Sequence, residues 1–207
     1  MVIDKAYVKA KIAFLIPVII VFYIIYWGFT LSKVYIAAKS IPDSTEKELL
    51  RINIFGNSQQ EGENTVSASF SLIDSSGNEI AVIERSWVGN YLTIDFYRVS
   101  INKKIFYFPS EICSKDQIYE GSRLKHKKGT ELSRYYDENG QCMLLGFAST
   151  KKQRHKLYDI SSFANGHFKV PRFFSVKKIG IDLSFCRTGL YYSVRAEKDG
   201  NLKLAPL

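Results

Sequence analysis

The chain begins with a long run of apolar residues. No charged side chain lies between Lys11 and Lys33, and residues 12–32 place Leu, Ile, Val or Phe on every face of a helical wheel. At about 1.5 Å per residue, a helix of this length matches the ~30 Å hydrocarbon core of a bilayer. A helix that is apolar all round suits lipid better than a protein surface. The pattern predicts a transmembrane helix at residues 12–32, in contact with membrane lipid.

A cleaved signal peptide is the alternative interpretation of the same run. Signal peptides carry an apolar region of about 7–15 residues that ends in small residues at the cleavage site. Here the run is longer, and Tyr26, Trp27 and Phe29 occupy positions where small residues would be needed. Tyr23, Tyr26 and Trp27 instead resemble the aromatic belt at the edge of a membrane span. We therefore expect a retained anchor.

The lysines that flank the run predict its orientation. Lys5, Lys9 and Lys11 precede it, whereas Lys33 and Lys39 follow it. Because loops rich in Lys and Arg stay in the cytoplasm, we expect residues 1–11 inside and the rest outside the cytoplasmic membrane. The inverted topology, with the basic domain in the cytoplasm, is the alternative.

Beyond the anchor, the apolar positions begin to alternate with polar ones. Residues 33–47, with a break at Pro42, are expected to form a stalk, and residues 48–207 a single domain. In residues 65–74 (TVSASFSLID), serines separate the apolar positions, which is the period of a half-buried strand. The apolar positions of this predicted strand are Val66, Ala68, Phe70 and Leu72.

Gly89 and Asn90 separate two further alternating runs and predict a two-residue hairpin turn. In that register Trp87 lies opposite Leu92, and Glu84 lies opposite Asp95. The same register places the apolar residues of both runs on one face. These residues are Ile83, Trp87, Leu92, Ile94 and Phe96.

The remaining runs complete the expected fold class. Further strands are predicted at residues 104–108, 142–147, 179–185, 190–196 and 202–204, and one short helix at 156–163. Many short strands with turn residues between them favour an antiparallel β-sandwich or barrel-like domain over an α/β enzyme fold. We therefore expect a mainly β protein with an N-terminal transmembrane helix and a short second helix.

Composition and charge narrow the range of functions. The net charge is +9, but five lysines and one aspartate lie in residues 1–40, which leaves 24 basic and 19 acidic residues beyond them. Without a basic helix or an RNA-binding motif, this mild excess does not predict nucleic-acid binding. The three cysteines lack CxxC spacing and the three histidines lack ligand spacing, so neither a metal site nor a cofactor is expected.

One enzyme layout resembles this chain in plan. Sortases also place an anchor before a β-barrel, and they combine a cysteine, a histidine and an arginine in the active site. In LSFCRTGLYYSVRA the resemblance implies Cys186 as nucleophile and Arg195 as oxyanion partner, with His126 upstream. Phe185 stands where that family has a threonine, and the sequence around His126 does not match. A buried structural cysteine is the alternative role of Cys186.

The predicted hairpin raises a second catalytic hypothesis. Two opposed carboxylates, Glu84 and Asp95, would repel each other and raise one pKa, which suits acid–base work or cation binding. The alternative is a solvated pair that Arg85, Arg98 or a lysine of another strand neutralises.

Two basic runs are candidate anion-binding sites. They are RLKHKK and KKQRHK, which are both expected to lie in loops, and one hypothesis is that these loops bind lipid phosphates, envelope polyanions or an acidic protein. Ordinary solvated loops are the alternative. The candidate residues are Arg123, Lys125, Lys127, Lys128, Lys151, Lys152, Arg154 and Lys156.

No catalytic signature such as GxSxG, a P-loop or HExxH occurs in the chain. The sequence therefore favours a membrane-anchored β-domain that acts in binding, scaffolding or envelope assembly. Its expected partner is a protein or an anionic envelope component. The alternative function is an anchored extracytoplasmic enzyme with a cysteine or a paired-carboxylate site.

Overall fold

The computed structural model describes residues 5–41, 47–60, 63–115, 129–172, 175–197 and 199–207. The protein is mainly β with antiparallel sheets, one long N-terminal helix and a short second helix, as the sequence predicts. The helices are α1 (Lys5–Ser40) and α2 (Lys151–Ala164). The strands are β1 (Lys47–Gln60), β2 (Glu63–Ile73), β3 (Glu79–Val88), β4 (Tyr91–Ile101), β5 (Lys104–Lys115), β6 (Thr130–Glu131), β7 (Asp137–Glu138), β8 (Gln141–Cys142), β9 (Val176–Asp182), β10 (Tyr191–Ala196) and β11 (Leu202–Pro206).

Two main sheets share one hydrophobic core. The first has five strands in the order β11-β10-β1-β2-β3, and the second has four in the order β6-β5-β4-β9. β7 and β8 form a small separate hairpin. Side chains of both sheets and of both helices belong to the same buried cluster, as expected for a β-sandwich covered by helices.

β2 shows how the alternating pattern forms a sheet. Its apolar residues are all buried, while Ser67, Ser69 and Ser71 on the other face are half-buried. Ser67 shares a hydrogen bond of 2.7 Å with Ser86 across the β2–β3 pair. The buried apolar residues are Val66, Ala68, Phe70 and Leu72.

The predicted hairpin at Gly89-Asn90 is wrong. β3 pairs with β2, whereas β4 pairs with β5 and β9, so the two residues carry the chain from one sheet to the other. The Gly89 N–H donates to Asn64 in the first sheet, and the Asn90 N–H donates to Lys115 in the second. Gly89 has φ +147°, and a Cβ there would lie 2.9 Å from Cβ of Ser114. The apolar residues of both runs are buried as predicted, but they face the core from opposite sheets.

α1 does not end where the apolar run ends. Residues 33–40, predicted as a stalk, continue the helix and pack against the domain. The helix is long and apolar enough to cross a membrane. From Trp27 onward, the positions that face the core recur every three or four residues, as in an amphipathic helix. These buried or half-buried positions are Trp27, Thr30, Leu31, Val34, Ala37, Ala38 and Ile41.

α2 is longer than the predicted helix at 156–163. Thr150 caps it through a capping box with Gln153, because the Thr150 side chain accepts from the Gln153 N–H while the Gln153 side chain accepts from the Thr150 N–H. The basic run KKQRHK therefore begins a helix and is not a loop. The predicted strand at 142–147 is also shorter, since a 3₁₀ helix at Met143–Leu145 follows β8.

Candidate functional site

The candidate site is a groove between α1 and α2, with a volume of about 650 Å³. This size lies within the usual range of ligand pockets, about 300–1,000 Å³. We call it the α1–α2 groove. α1 contributes Lys33 and Ile36, and the β7–β8 turn region contributes Asn139 and Gln141. α2 contributes Lys151, Lys152, His155, Lys156 and Asp159.

Helical periodicity explains why the lysines of α2 share one side. Lys151, Lys152, His155 and Lys156 are spaced so that they project within about a third of the helix circumference. The opposite side carries apolar residues that are buried in the domain. These apolar residues are Leu157, Ile160 and Ala164. Burial of this apolar side leaves the cationic side of α2 facing α1.

An ion pair joins the two helices at the groove. Lys33 Nζ lies 2.7 Å from Asp159 Oδ1, and the side chains are 42% and 7% exposed, respectively. The buried carboxylate needs a cation, because an unpaired charge away from water is costly. Lys33 therefore acts as the counterion of Asp159 and fixes the spacing of the helices.

The histidine and the arginine of the same basic run have local partners. His155 Nδ1 lies 2.7 Å from the carbonyl oxygen of Gly140, and its ring stacks on Tyr158 at 6.4 Å. Arg154 donates from Nε to Gln141 Oε1 at 3.1 Å and from Nη1 to the carbonyl of Ser149. Arg154 thus holds the start of α2 to the preceding loop, and it does not line the groove.

The groove has an excess of positive charge. Four lysines line it, and Asp159 is the only acidic residue among the described residues that do so. This excess of cations suits an anionic ligand, and Ile36 adds an apolar wall. Three predicted anion-binding residues, Lys151, Lys152 and Lys156, are brought together here, while Arg123, Lys125, Lys127 and Lys128 lie outside the described residues.

Sequence reasoning missed two of the groove's central residues, Lys33 and Asp159. In the sequence, Lys33 stands out only as one of the charged residues that flank the apolar run and predict its orientation. The spacing of Phe29, Lys33 and Ile36 on one helical face was a signal that could have identified it.

The predicted Glu84–Asp95 pair does not exist. Glu84 is exposed on β3 opposite Ser69, and Asp95 lies on β4 opposite Glu111 and Gly180. The prediction failed because it depended on the hairpin register at Gly89-Asn90.

Asp95 belongs to a different cluster, with Glu111 and Cys113. Their ligand atoms lie within 4.8 Å of one another. Lys178 Nζ is 2.7 Å from Asp95 Oδ2 and 3.9 Å from Glu111 Oε2, and the Gly129 N–H donates to Glu111 Oε1 at 2.7 Å. The lysine already supplies a cation to both carboxylates, so the cluster is explained as an ion-pair network.

Cys186 lacks the environment of a nucleophile. It lies in the segment between β9 and β10, and burial, together with the charge of Asp182, raises the pKa of its thiol to about 11. A reactive cysteine needs the opposite shift, because the thiolate is the nucleophile. Arg195 on β10 donates from Nε to Ser193 Oγ, and His126 lies outside the described residues.

The other two cysteines have even less thiolate character. Burial and the charge of Glu111 raise the pKa of Cys113 to about 12, and burial raises the pKa of Cys142 well above its ordinary value. All three cysteines are free, so no disulfide forms among them.

A half-buried carboxylate lies beside α2. Ser161 donates to Asp137 Oδ2 at 2.5 Å, which links α2 to the β7–β8 hairpin. Burial raises the pKa of Asp137 to about 6, although the hydrogen bonds from Ser161 and Cys142 oppose this shift. Asp137 therefore has a hydroxyl partner where Asp159 has an ammonium.

Comparison with protein-family models, curated proteins and solved structures gives no match for this chain. Similarity therefore adds no residue roles to those that follow from the geometry.

Proposed function

We propose that this protein is a single-pass protein of the cytoplasmic membrane whose β-sandwich acts outside as a non-catalytic binding or scaffolding module of the envelope. Residues 12–32 would form the span, with the N-terminus in the cytoplasm and the residues from Trp27 onward at the outer surface of the membrane beside the domain. The observation that carries the proposal is the continuity of α1, which is exposed and apolar at first and becomes part of the domain core from Trp27 onward.

The two parts of α1 suit two different surroundings. Between Leu15 and Tyr26 the large apolar side chains are mostly 44–68% exposed, which matches contact with lipid. From Val34 to Ile41, one stripe is almost fully buried. A helix that is fixed in the domain core on one side of the membrane holds the domain close to the bilayer surface.

The β4–β5 turn marks where the sandwich meets the end of α1. Tyr35 Oη donates to Asn102 Oδ1 and Lys104 Nζ donates to the carbonyl of Ile41, so the β4–β5 turn lies beside the end of the helix. From Lys47, β1 continues for 14 residues, about 46 Å at ~3.3 Å per residue. Phe55 is thus about 26 Å along the strand from Lys47.

Exposed apolar side chains gather at the end of β10 that contains Tyr191. Phe55, Leu190, Tyr191 and Leu207 are 44–59% exposed, and we call them the distal cluster. Three observations join them: Tyr191 pairs with Asn53, the Gly189 N–H donates to Ile54, and the Leu207 N–H donates to Tyr191. Exposed aromatic groups are enriched at protein interfaces. We assign this end to a protein partner in the envelope.

Membrane location and topology are tested first, on the full chain. A reporter enzyme active only outside the cytoplasm, fused after Leu207, should be active, and the protein should stay in the membrane fraction after an alkaline wash. An inactive reporter would indicate the opposite topology. Release of the protein by the wash would show that α1 is not a membrane anchor.

The partner surface is tested by site-specific photo-crosslinking in native membranes. A crosslinker at Tyr191 should give one defined adduct whose yield falls at least fivefold with Leu190→Ser. A crosslinker at Ser76, in an exposed turn near the start of β3, serves as the control. Equal adducts from both positions would refute the assignment, and an adduct of twice the protein mass would indicate self-association instead.

A further inference from the structure

We infer that the α1–α2 groove binds the phosphate of an anionic phospholipid from the bilayer that α1 crosses. This inference deepens the proposed function and rests on its membrane location. It assigns a ligand class to the groove, whereas the proposed partner surface is the distal cluster.

The position of the groove supports a headgroup ligand. Lys33 directly follows the apolar run, and Ile36 lies four residues beyond Ser32, which corresponds to about 6 Å along a helix. Phospholipid phosphates lie in the interfacial layer just outside the hydrocarbon core. The groove and the phosphate layer are therefore at the same depth.

The charge of the groove supports an anionic ligand. Lys33 is held by Asp159, whereas Lys151, Lys152 and Lys156 add three ammonium groups to the same lining. Basic side chains beside a membrane surface attract the phosphates of its anionic lipids. A single phosphate would be surrounded by donors from both helices.

The outer face of α1 supports a lipid over a soluble anion. Phe29 is 72% exposed and Ile36 is 59% exposed, and the 29–33–36 spacing places both on the same face as Lys33. This face forms an apolar strip that leads from the span to the groove. An acyl chain can follow the strip in the bilayer while its phosphate reaches the lysines.

The test uses the full-length protein in detergent micelles. Native mass spectrometry would measure retention of phosphatidylglycerol, with phosphatidylcholine of the same acyl chains as the uncharged comparison. The groove variant carries Lys151→Gln, Lys152→Gln and Lys156→Gln. The matched control carries Lys103→Gln, Lys169→Gln and Lys177→Gln, which change the same charge at exposed positions outside the groove.

We expect the groove variant to retain at most one tenth of the phosphatidylglycerol bound by the native protein, and the control to retain at least half. Phosphatidylcholine should bind weakly to all three. Unfolding midpoints that agree with the native protein would show that the variants are folded.

Two competition arms distinguish the sources of phosphate. Inorganic phosphate and soluble polyphosphate at millimolar concentration should not displace the lipid. Displacement would assign the groove to a soluble anion, and equal lipid retention by the groove variant and the control would refute the inference outright. Either result would leave the reporter and membrane-wash results unchanged, so a failure of this inference is distinguishable from a failure of the proposed function.

Discussion

Two clusters of lysine and carboxylate groups in this protein differ in their charge balance. At Lys178, one ammonium lies between two carboxylates, Asp95 and Glu111. In the α1–α2 groove, four lysines line a site with a single carboxylate, Asp159. The first cluster contains the cation that its acids require, which is the pattern of a structural ion-pair network. In the second, Lys33 holds that carboxylate, which leaves Lys151, Lys152 and Lys156 without a further acidic residue among the described lining residues. This pattern suits a site for an external anion.

The largest effect on stability is expected from removing the cation of the first cluster. Partial burial works against the charged form of Lys178, but the hydrogen bond and charge of Asp95 raise its pKa above the ordinary value. Lys178→Met leaves two facing carboxylates, but Lys178 is 46% exposed and solvent screens its ion pairs, so the free energy of unfolding should fall by about 2 kcal/mol, measured by urea unfolding in detergent at neutral pH.

The direction of the pKa shift of Lys178 predicts how its stabilisation depends on pH. Because the pKa of Lys178 is raised in the folded state, the stabilisation is present below the unfolded pKa and is lost as pH rises through the folded pKa. The difference in free energy of unfolding between the native protein and Lys178→Met should thus disappear in strong alkali. Lys177→Met, on the exposed neighbour, is the control. Equal losses in the free energy of unfolding from both variants would show that Lys178 has no special structural role.

Asp137, whose carboxylate accepts a hydrogen bond from Ser161, is a third case to compare with the two lysine–carboxylate clusters. Burial raises the pKa of Asp137 from 3.8 to about 6, so the folded state binds this proton more tightly than the unfolded state. Stability should therefore fall as pH rises from about 4 to about 6, by roughly 2 kcal/mol. Asp137→Asn should remove this slope in urea unfolding measured across that range.

The matched control for Asp137 is its exposed neighbour. Glu138→Gln makes the same chemical change one residue away and should keep the slope of the native protein. If Asp137→Asn also keeps the slope, Asp137 is charged in the folded state throughout this range and the raised pKa is wrong.

The counterion of the groove should matter less for stability than Lys178. Lys33→Met leaves the buried carboxylate of Asp159 unpaired, but Lys33 itself is 42% exposed, which weakens the pair by solvent screening. We expect a loss of about 1 kcal/mol in thermal unfolding. Lys39→Met, on an exposed position of the same helix, should change nothing. A full loss with Lys39→Met would indicate an effect of helix charge instead.

The smallest effect on stability is expected from the groove lysines that do not pair with Asp159. Lys152→Gln should change the free energy of unfolding by less than about 0.5 kcal/mol in the same measurement. It can raise stability slightly, since it reduces repulsion among the groove lysines. A loss comparable to that of Lys178→Met would place Lys152 in a structural network and end the contrast between the two clusters.

Local patterns predicted much of the fold. Alternation in residues 65–74 located β2 and its buried face, because side-chain direction in a strand depends only on residue parity. The same rule placed Trp87 and Leu92 in the core. It could not show that Gly89-Asn90 connects two sheets, because a turn between adjacent sheets and a hairpin turn use the same residues. Pairing with β2 and β5 depends on partners distant in the sequence.

The candidate site was predicted in part for a similar reason. The run KKQRHK marks a cationic segment, and composition alone identifies Lys151, Lys152 and Lys156. Composition cannot show that the capping box at Thr150 makes this segment helical or that Lys33, more than a hundred residues earlier, completes the groove. The Glu84–Asp95 pair failed because one incorrect turn misplaced the whole register.

The continuity of α1 has a mechanical consequence. Without a hinge between the apolar run and residues 34–41, the helix and the sandwich move as one lever. A bilayer that is thinner than the apolar run makes such a helix tilt. In the proposed topology, tilt of a rigid lever would swing the distal cluster sideways, since Phe55 lies about 26 Å along β1 from Lys47. Membrane thickness would thereby set where this surface is presented.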